Sequence, residues 1–305
     1  MLRRRLLFVT GKGGVGKSTV AAALGLLASR RGLRTIVAEV SGRGDVPRLL
    51  GGAPAAEGAE QQLAPGLHCI AIDPQRALEE YLADQLPLRS LAELLAGSRT
   101  FGYLAAATPG MRELLTIGKV WELAQPARRA AGAVPYDLVI VDAPATGHGV
   151  AFLAAPSTFA AVAQVGPVAR QGLRIHDTLT DASQTGVLAV CTPEEPAVTE
   201  ALEVGAALRS QLGIEPAGTI VNAVRPWRLR PGDRGALHAA LAASPPTGAA
   251  AAIELALAED TRVRSQRAQL RRLPERFAQL PFLFSAQLGP AQLEALLPAL
   301  GAARL

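Results

Sequence analysis

Short runs of apolar residues recur along the chain, and stretches with a helical pattern lie between them. This alternation predicts β-strands separated by α-helices, and the nearly continuous apolar runs indicate strands that are buried on both faces of a sheet. The sequence therefore predicts an α/β fold with a doubly wound, mostly parallel sheet. The predicted strands are residues 6–10, 35–40, 68–72, 137–142, 187–191, 218–222 and 280–284.

The first predicted strand leads into the glycine-rich sequence GKGGVGKST, which spans residues 11–19 and precedes a helical pattern. A strand, a loop with the spacing GxxxxGK[ST] and a helix, in this order, are typical of a phosphate-binding loop. The loop's N–H groups and the helix N-terminus attract an anion, Lys17 neutralises the outer phosphates, and the Ser18 hydroxyl binds Mg²⁺. We therefore predict a nucleotide-binding site of the P-loop type that also holds Mg²⁺. The expected nucleotide-binding residues here are Gly11, Gly13, Gly14, Val15, Gly16, Lys17, Ser18 and Thr19.

With one such loop and no internal repeat, residues 1–305 are expected to form a single P-loop domain. Residues 75–135 are poor in strand-like runs and rich in helical patterns. We expect them to form a helical subdomain inserted into the α/β core. An additional helical segment is expected over residues 234–272, with a break at Pro245 and Pro246.

Lys12 is a second lysine in the loop, in a chain that has only three lysines. The sequence KGGVGKST resembles the deviant loop of dimeric ATPases, which include MinD/ParA partition proteins, the nitrogenase iron protein and the arsenical pump-driving ATPases. The resemblance implies that Lys12 reaches across a dimer interface to the partner's nucleotide. A cationic finger supplied in this way accelerates phosphoryl transfer by about 10³–10⁵.

The predicted strand at residues 137–142 ends at Asp142. A carboxylate at the end of a strand can hold Mg²⁺ through water, opposite Ser18. Pro144 and Gly147 are expected to shape a turn after it, in which the Gly147 N–H approaches the γ-phosphate. A turn that is ordered by the γ-phosphate and released after hydrolysis would act as a switch.

The sequence DAPATGHG at residues 142–149 resembles the DTAPTGHT switch of the arsenical pump-driving ATPases. Similar segments at 72–81, 108–114, 152–156, 192–200, 220–222 and 280–282 extend the resemblance over most of the chain. The resemblance implies a cytoplasmic ATPase dimer whose helical subdomain binds a client or partner protein. It also implies that Asn222, Pro281 and Phe282 lie at the adenine, and a carboxamide suits the N6 and N7 edge of that base.

The chain departs from the family in its first switch, where the family has STDPAH and an Asp orients the attacking water. Ser41 stands at that Asp position, and a hydroxyl cannot take a proton at neutral pH as a carboxylate can. Asp45 or Glu39 could substitute, and Asp45 is favoured. Otherwise hydrolysis is slow, and the chain is an ATP-binding switch or one subunit of a heterodimer with a paralogous ATPase.

The chain has neither the paired cysteines that bind zinc in some family members nor the clustered cysteines that bind arsenite in others. Its two cysteines, Cys69 and Cys191, are far apart in the sequence. The chain is most similar to bacterial members that lack the arsenite site. The unpaired cysteines favour a reducing compartment, and the apolar N-terminal run is too short for a signal peptide. No run approaches the roughly 20 apolar residues of a membrane helix. We therefore expect a cytoplasmic protein that is not an integral membrane protein.

The chain carries a net charge of +5, and a basic stretch contains Arg262, Arg264, Arg267, Arg271, Arg272 and Arg276. A solvated helix face explains these arginines better than nucleic acid does, so nucleic-acid binding is not expected. A ParA/MinD-type partitioning ATPase is the remaining alternative. The chain lacks the basic amphipathic C-terminal helix with which MinD-like proteins bind membranes.

Overall fold

The computed structural model describes residues 1–54, 56–85, 110–128, 132–163, 166–243, 248–274 and 277–303. Eight strands form one sheet, and they are β1 (Leu6–Gly11), β2 (Thr35–Glu39), β3 (Gln61–Ala64), β4 (Leu67–Ala71), β5 (Leu138–Ala145), β6 (Thr185–Cys191), β7 (Gly218–Val224) and β8 (Phe277–Pro281). Their order is β3-β4-β2-β5-β1-β6-β7-β8, and only the β3–β4 pair is antiparallel. The predicted α/β fold with a mostly parallel sheet is confirmed.

Helices cover both faces of the sheet, because alternate residues of the central strands point to opposite sides. In β1, Leu7 and Val9 pack on one side and Leu6 and Phe8 on the other, and all four are fully buried. The helices are α1 (Lys17–Arg30), α2 (Asp45–Leu49), α3 (Pro74–Gln85), α4 (Met111–Leu123), α5 (Thr146–Ala163), α6 (Pro167–Thr180), α7 (Glu195–Leu212), α8 (Asp233–Ala243), α9 (Gly248–Leu270) and α10 (Pro290–Ala302). Helices α1 and α10 cover the first side, and α4, α5 and α6 cover the second.

Two strands at the sheet edges differ from the sequence prediction. The strand expected at 280–284 spans Phe277–Pro281, because only one side of this edge strand is buried and its buried residues alternate with exposed ones. Strand β3 was not predicted, since it is a four-residue edge strand that begins with two glutamines and is nowhere fully buried. An edge strand needs no continuous apolar run, so the pattern that identifies central strands does not mark it.

The prediction of a turn after Asp142 is also wrong. Strand β5 continues to Ala145, which pairs with Gly11 of β1, and α5 begins at the next residue. Pro144 lies within this extended segment, where a proline ring is compatible with the backbone angles. Gly147 therefore lies in the first turn of a helix, where backbone N–H groups have no partner within the helix.

Within residues 75–135, the structure describes α3 and α4, which pack against each other. The helical pattern at 91–95 and the similar segment at 108–109 lie outside the described residues, as do Pro245, Pro246 and Arg276. No helix in the described part of the chain is both long enough and apolar enough to cross a membrane.

A buried ionic cluster joins α4 to the sheet. The Arg128 side chain is 1% exposed. Its Nε donates to Glu122 Oε1 at 2.9 Å, and its Nη2 donates to Glu60 Oε1 at 2.5 Å. The Tyr136 hydroxyl donates to Glu60 Oε2 at 2.6 Å. Since Glu60 precedes β3 and Tyr136 precedes β5, this cluster connects three separate parts of the chain.

We predict that Arg128→Ala lowers the free energy of unfolding by about 3–5 kcal/mol, because it leaves two carboxylates without their buried partner. Urea unfolding measures the loss. The matched control is Arg209→Ala, which removes an arginine that pairs with Glu215 at 2.8 Å on the surface. That exposed pair contributes less than about 1 kcal/mol, so equal losses in the two variants would contradict the prediction.

Candidate functional site

The glycine-rich loop connects β1 to α1 through two positions that only glycine suits. Gly11 passes so close to β6 that a Cβ would lie 2.1 Å from the Val190 carbonyl oxygen. Gly16 has φ +92° immediately before α1, in the left-handed region that favours glycine. No side chain caps the N-terminus of α1 in the described structure. The first N–H groups of α1 are thus available to an anion, as a phosphate-binding loop requires.

Lys17 and Ser18 occupy the first turn of α1. The Lys17 ammonium donates to the carbonyl oxygen of Lys12 at 3.0 Å, so this side chain folds back over the loop. Burial lowers the pKa of Lys17, and the nearby Asp142 carboxylate partly offsets this effect. The Ser18 hydroxyl donates to Asp142 Oδ2 at 2.6 Å. Strand β5 and the phosphate-binding loop thus meet as the sequence predicts.

Asp142 lies near the end of β5, between β1 and β2, and is 3% exposed. Burial raises the pKa of this carboxyl group to about 6, although the Ser18 hydroxyl and the Lys17 ammonium favour the charged form. Its Oδ1 atom has no hydrogen-bond partner among the described residues. A buried carboxylate oxygen of this kind is costly unless a further donor or a cation reaches it.

This arrangement fits Mg²⁺ held by few protein ligands. The described residues include no set of three or more His, Cys, Asp or Glu side chains placed to hold a metal. Mg²⁺ commonly keeps several waters and takes the rest of its ligands from one or two side chains and from phosphates. Ser18 and Asp142 are the side chains that could hold it here.

The two candidates for the missing switch carboxylate lie in different surroundings. Glu39 is 1% exposed, and its Oε1 accepts the Val46 N–H at 3.0 Å, at the start of α2. Burial raises the pKa of Glu39, and the backbone N–H groups of Val46 and Asp45 oppose that shift. The Asp45 side chain is 33% exposed and pairs with Arg48 at 2.8 Å. Glu39 therefore holds α2 in place, whereas Asp45 remains accessible to solvent.

Lys12 lies at the surface of the loop. Its ammonium is 3.6 Å from Glu200 Oε2 on α7, and 47% of the Lys12 side chain is exposed. No local sequence pattern predicts this pair, because 187 residues lie between its members. Glu39 did carry a signal, since an acidic residue at the end of a buried strand requires a partner.

Asn222 approaches the phosphate-binding loop from β7. Its Nδ2 donates to the Val15 carbonyl at 2.9 Å, and its Oδ1 accepts the Ala223 N–H at 2.9 Å. The Nδ2 group has a second N–H to donate, and the Oδ1 atom has a second lone pair to accept with. The edge of a base could pair with both of these free positions.

Pro281 and Phe282 lie beside the end of β7. Pro281 is in register with Val224, and the Phe282 N–H donates to the Val224 carbonyl at 2.9 Å. The Arg225 guanidinium is 4.2 Å from the centre of the Phe282 ring. The ends of β7 and β8 thus bring together residues that are 57 or 58 positions apart in the sequence, next to the phosphate-binding loop.

The chain is similar in sequence to known ATPases. The profile of the anion-transporting ATPase family matches residues 4–170, which is more than half of the chain. The ATPase BagA of Mycobacterium tuberculosis is 32% identical over 235 residues, which cover 75% of this chain and 68% of that protein.

Two further relatives carry more specific names. The arsenical pump-driving ATPase of Acidiphilium multivorum is 25% identical over 262 residues, covering 78% of this chain and 41% of that protein. The ATPase GET3 of Chaetomium globosum is 30% identical over 172 residues, covering 55% of this chain and 47% of that protein. Together with the profile match, these similarities show that the chain belongs to the anion-transporting ATPase family, as the sequence resemblance predicted.

Proposed function

We propose that this protein is a Mg²⁺-dependent ATPase that hydrolyses ATP at the interface of a dimer. The observation that carries the proposal is the buried hydrogen bond between Ser18 and Asp142, with one carboxylate oxygen left over beside the phosphate-binding loop. Membership of the family supports ATP binding and hydrolysis in general.

The proposed ligand contacts follow from the site geometry. The N–H groups of the loop and of the first turn of α1 bind the phosphates, and Lys17 moves from the Lys12 carbonyl to the outer phosphates. Ser18 and Asp142 hold Mg²⁺, which when bound neutralises charge on the phosphate oxygens. The Gly147 N–H, in the first turn of α5, is proposed to contact the γ-phosphate. Asn222, Pro281 and Phe282 are proposed to bind the adenine.

Asp45 is proposed to orient the attacking water. It starts α2, and Glu39 fixes this short helix by accepting the Val46 N–H. Because Glu39 is buried and engaged, it is the weaker candidate for accepting a proton from water. Asp45 would have to leave Arg48, and an exposed ion pair of this kind is weak.

The dimer is proposed from the position of Lys12. A lysine on the loop that is nearly half exposed can reach a second chain, and its 3.6 Å pair with Glu200 is loose enough to be exchanged. The second chain is either an identical copy or a paralogue. We propose that the dimer works in the cytoplasm and that a client or partner protein binds to the helical subdomain expected at residues 75–135.

A second candidate function is an ATP-binding switch with little turnover of its own. The observation in its favour is that Ser41 stands on an exposed loop in place of the family's carboxylate, while Asp45 is paired with Arg48. In that case a paralogous partner would supply the carboxylate that orients water.

The burial of the Asp142 carboxyl group predicts that the stability of the fold depends on pH. Its pKa is raised in the folded chain, so the charged form destabilises the fold above about pH 6, and the penalty disappears as the pH falls towards 4. Without Mg²⁺ or nucleotide, Asp142→Asn should therefore stabilise the fold by up to about 3 kcal/mol at pH 8 and much less at pH 4.

Thermal and urea unfolding at the two pH values measure this gain. Mg²⁺ with a nucleotide should stabilise the wild-type protein more than the variant. A gain that is the same at both pH values would contradict the burial of a charged Asp142.

Lys12→Ala should retain ATP affinity and lose turnover by about 10³-fold, because the finger acts only on the transferring phosphoryl group. The matched control is Glu200→Gln, which removes the partner of Lys12 within the chain and leaves the lysine. The control should keep at least the wild-type turnover. If both variants lose turnover equally, Lys12 serves this chain's own structure and not a second chain.

Asp45→Asn should lower turnover by about 10²-fold without weakening ATP binding, the size of effect expected when a general base is lost. Arg48→Met removes the same ion pair and keeps the carboxylate, so it should not lower turnover. Steady-state phosphate release and nucleotide binding measure the two properties. Normal turnover in Asp45→Asn would exclude Asp45 as the water-orienting residue.

A further inference from the structure

A cavity lies between α3, α4 and α6. Its volume is about 260 Å³, and the part of its wall that the described residues form is almost entirely apolar. The apolar side chains come mainly from one face of α4 and one face of α3, where residues recur at spacings of three and four. They include Leu78, Leu82, Met111, Leu114, Leu115 and Ile175.

The size of the cavity limits what it can hold. A helix with its side chains is about 10 Å across and rises about 5.4 Å per turn, so even one turn needs roughly 400 Å³. The cavity is therefore too small to enclose even one turn of a helical peptide. A protein cavity of about 150 Å³ holds benzene, so by proportion this one holds about ten carbon atoms.

Gly118 shows that the sequence leaves this space open. It lies in the interior of α4 and lines the cavity, and a Cβ built on it would meet no heavy atom within 4 Å. Glycine in a helix interior destabilises the helix, and filling an apolar void stabilises a core. A larger side chain at this position would thus give stability at no steric cost.

The charged groups that the described residues contribute to the wall are already paired. The Lys119 ammonium is 2.6 Å from Glu80 Oε2 and 3.3 Å from Glu122 Oε2, and Glu122 also pairs with Arg128. A ligand with a charged head group would have to break one of these pairs. An uncharged ligand leaves all of them intact.

We propose that this cavity binds one uncharged, chain-like apolar molecule of about ten carbon atoms, such as the acyl chain of a neutral lipid. Its polar end would face the Lys119–Glu80 pair, where Glu80 is half exposed. This binding is separate from the nucleotide site and does not depend on the proposed ATP hydrolysis.

The test is isothermal titration calorimetry of the full chain with straight-chain alcohols from hexanol to dodecanol. Each buried methylene should tighten binding about fourfold. The gain should stop near decanol, where the cavity is full. Decanoate and decylamine, which have the same chain with a charged head, should bind at least tenfold more weakly than decanol.

Gly118→Leu should fill the cavity and weaken decanol binding at least tenfold, while its unfolding temperature stays the same or rises. The matched control is Gly235→Leu, at an exposed position of α8 where a Cβ also meets nothing within 4 Å. The control should bind decanol as the wild-type protein does. The proposal is overturned if decanol gives no saturable binding, if Gly118→Leu binds it normally, or if either charged analogue binds as tightly.

Discussion

Asp142 places a carboxylate in the interior of the protein, and the hydrogen bond from Ser18 is its one strong partner among the described residues. Burial disfavours the charged form of Asp142, and the Ser18 hydroxyl and the Lys17 ammonium offset only part of this cost. Glu39, in register on β2, adds to the cost, although its own carboxylate is engaged with the N-terminus of α2. The bond also joins β5 to the start of α1, so it holds the two halves of the proposed nucleotide site together.

The remaining site residues follow from the direction of the sheet. In a parallel sheet the carboxyl ends of all strands lie along the same side of the sheet, and ligands bind there in doubly wound folds. Four parts of the site lie at these carboxyl ends: the loop after β1, Glu39 at the end of β2, Asp142 in β5 and Asn222 in β7. The contact of Asn222 with the Val15 carbonyl shows how closely the outer strands approach the loop.

The sequence was sufficient for the central strands, since they are buried on both faces and must be apolar throughout. It was also sufficient to place Asp142 opposite Ser18, because the loop and the strand-end carboxylate each have a distinct pattern, but it did not predict their direct hydrogen bond. It failed at β3 and β8, where one buried face relaxes the pattern, and at Ala145, where the strand runs directly into α5. The Lys12–Glu200 pair and the space beside Gly118 depend on packing between distant segments, which no local pattern records.

A pair of chains is proposed to hydrolyse ATP with the residues of this site. The most direct test is steady-state ATP turnover by the purified protein alone with Mg²⁺, over a series of protein concentrations. Turnover per chain should rise with concentration and reach a plateau when the dimer is fully formed. Turnover per chain that is independent of concentration over a range in which the protein changes from monomer to dimer would contradict hydrolysis at a dimer interface.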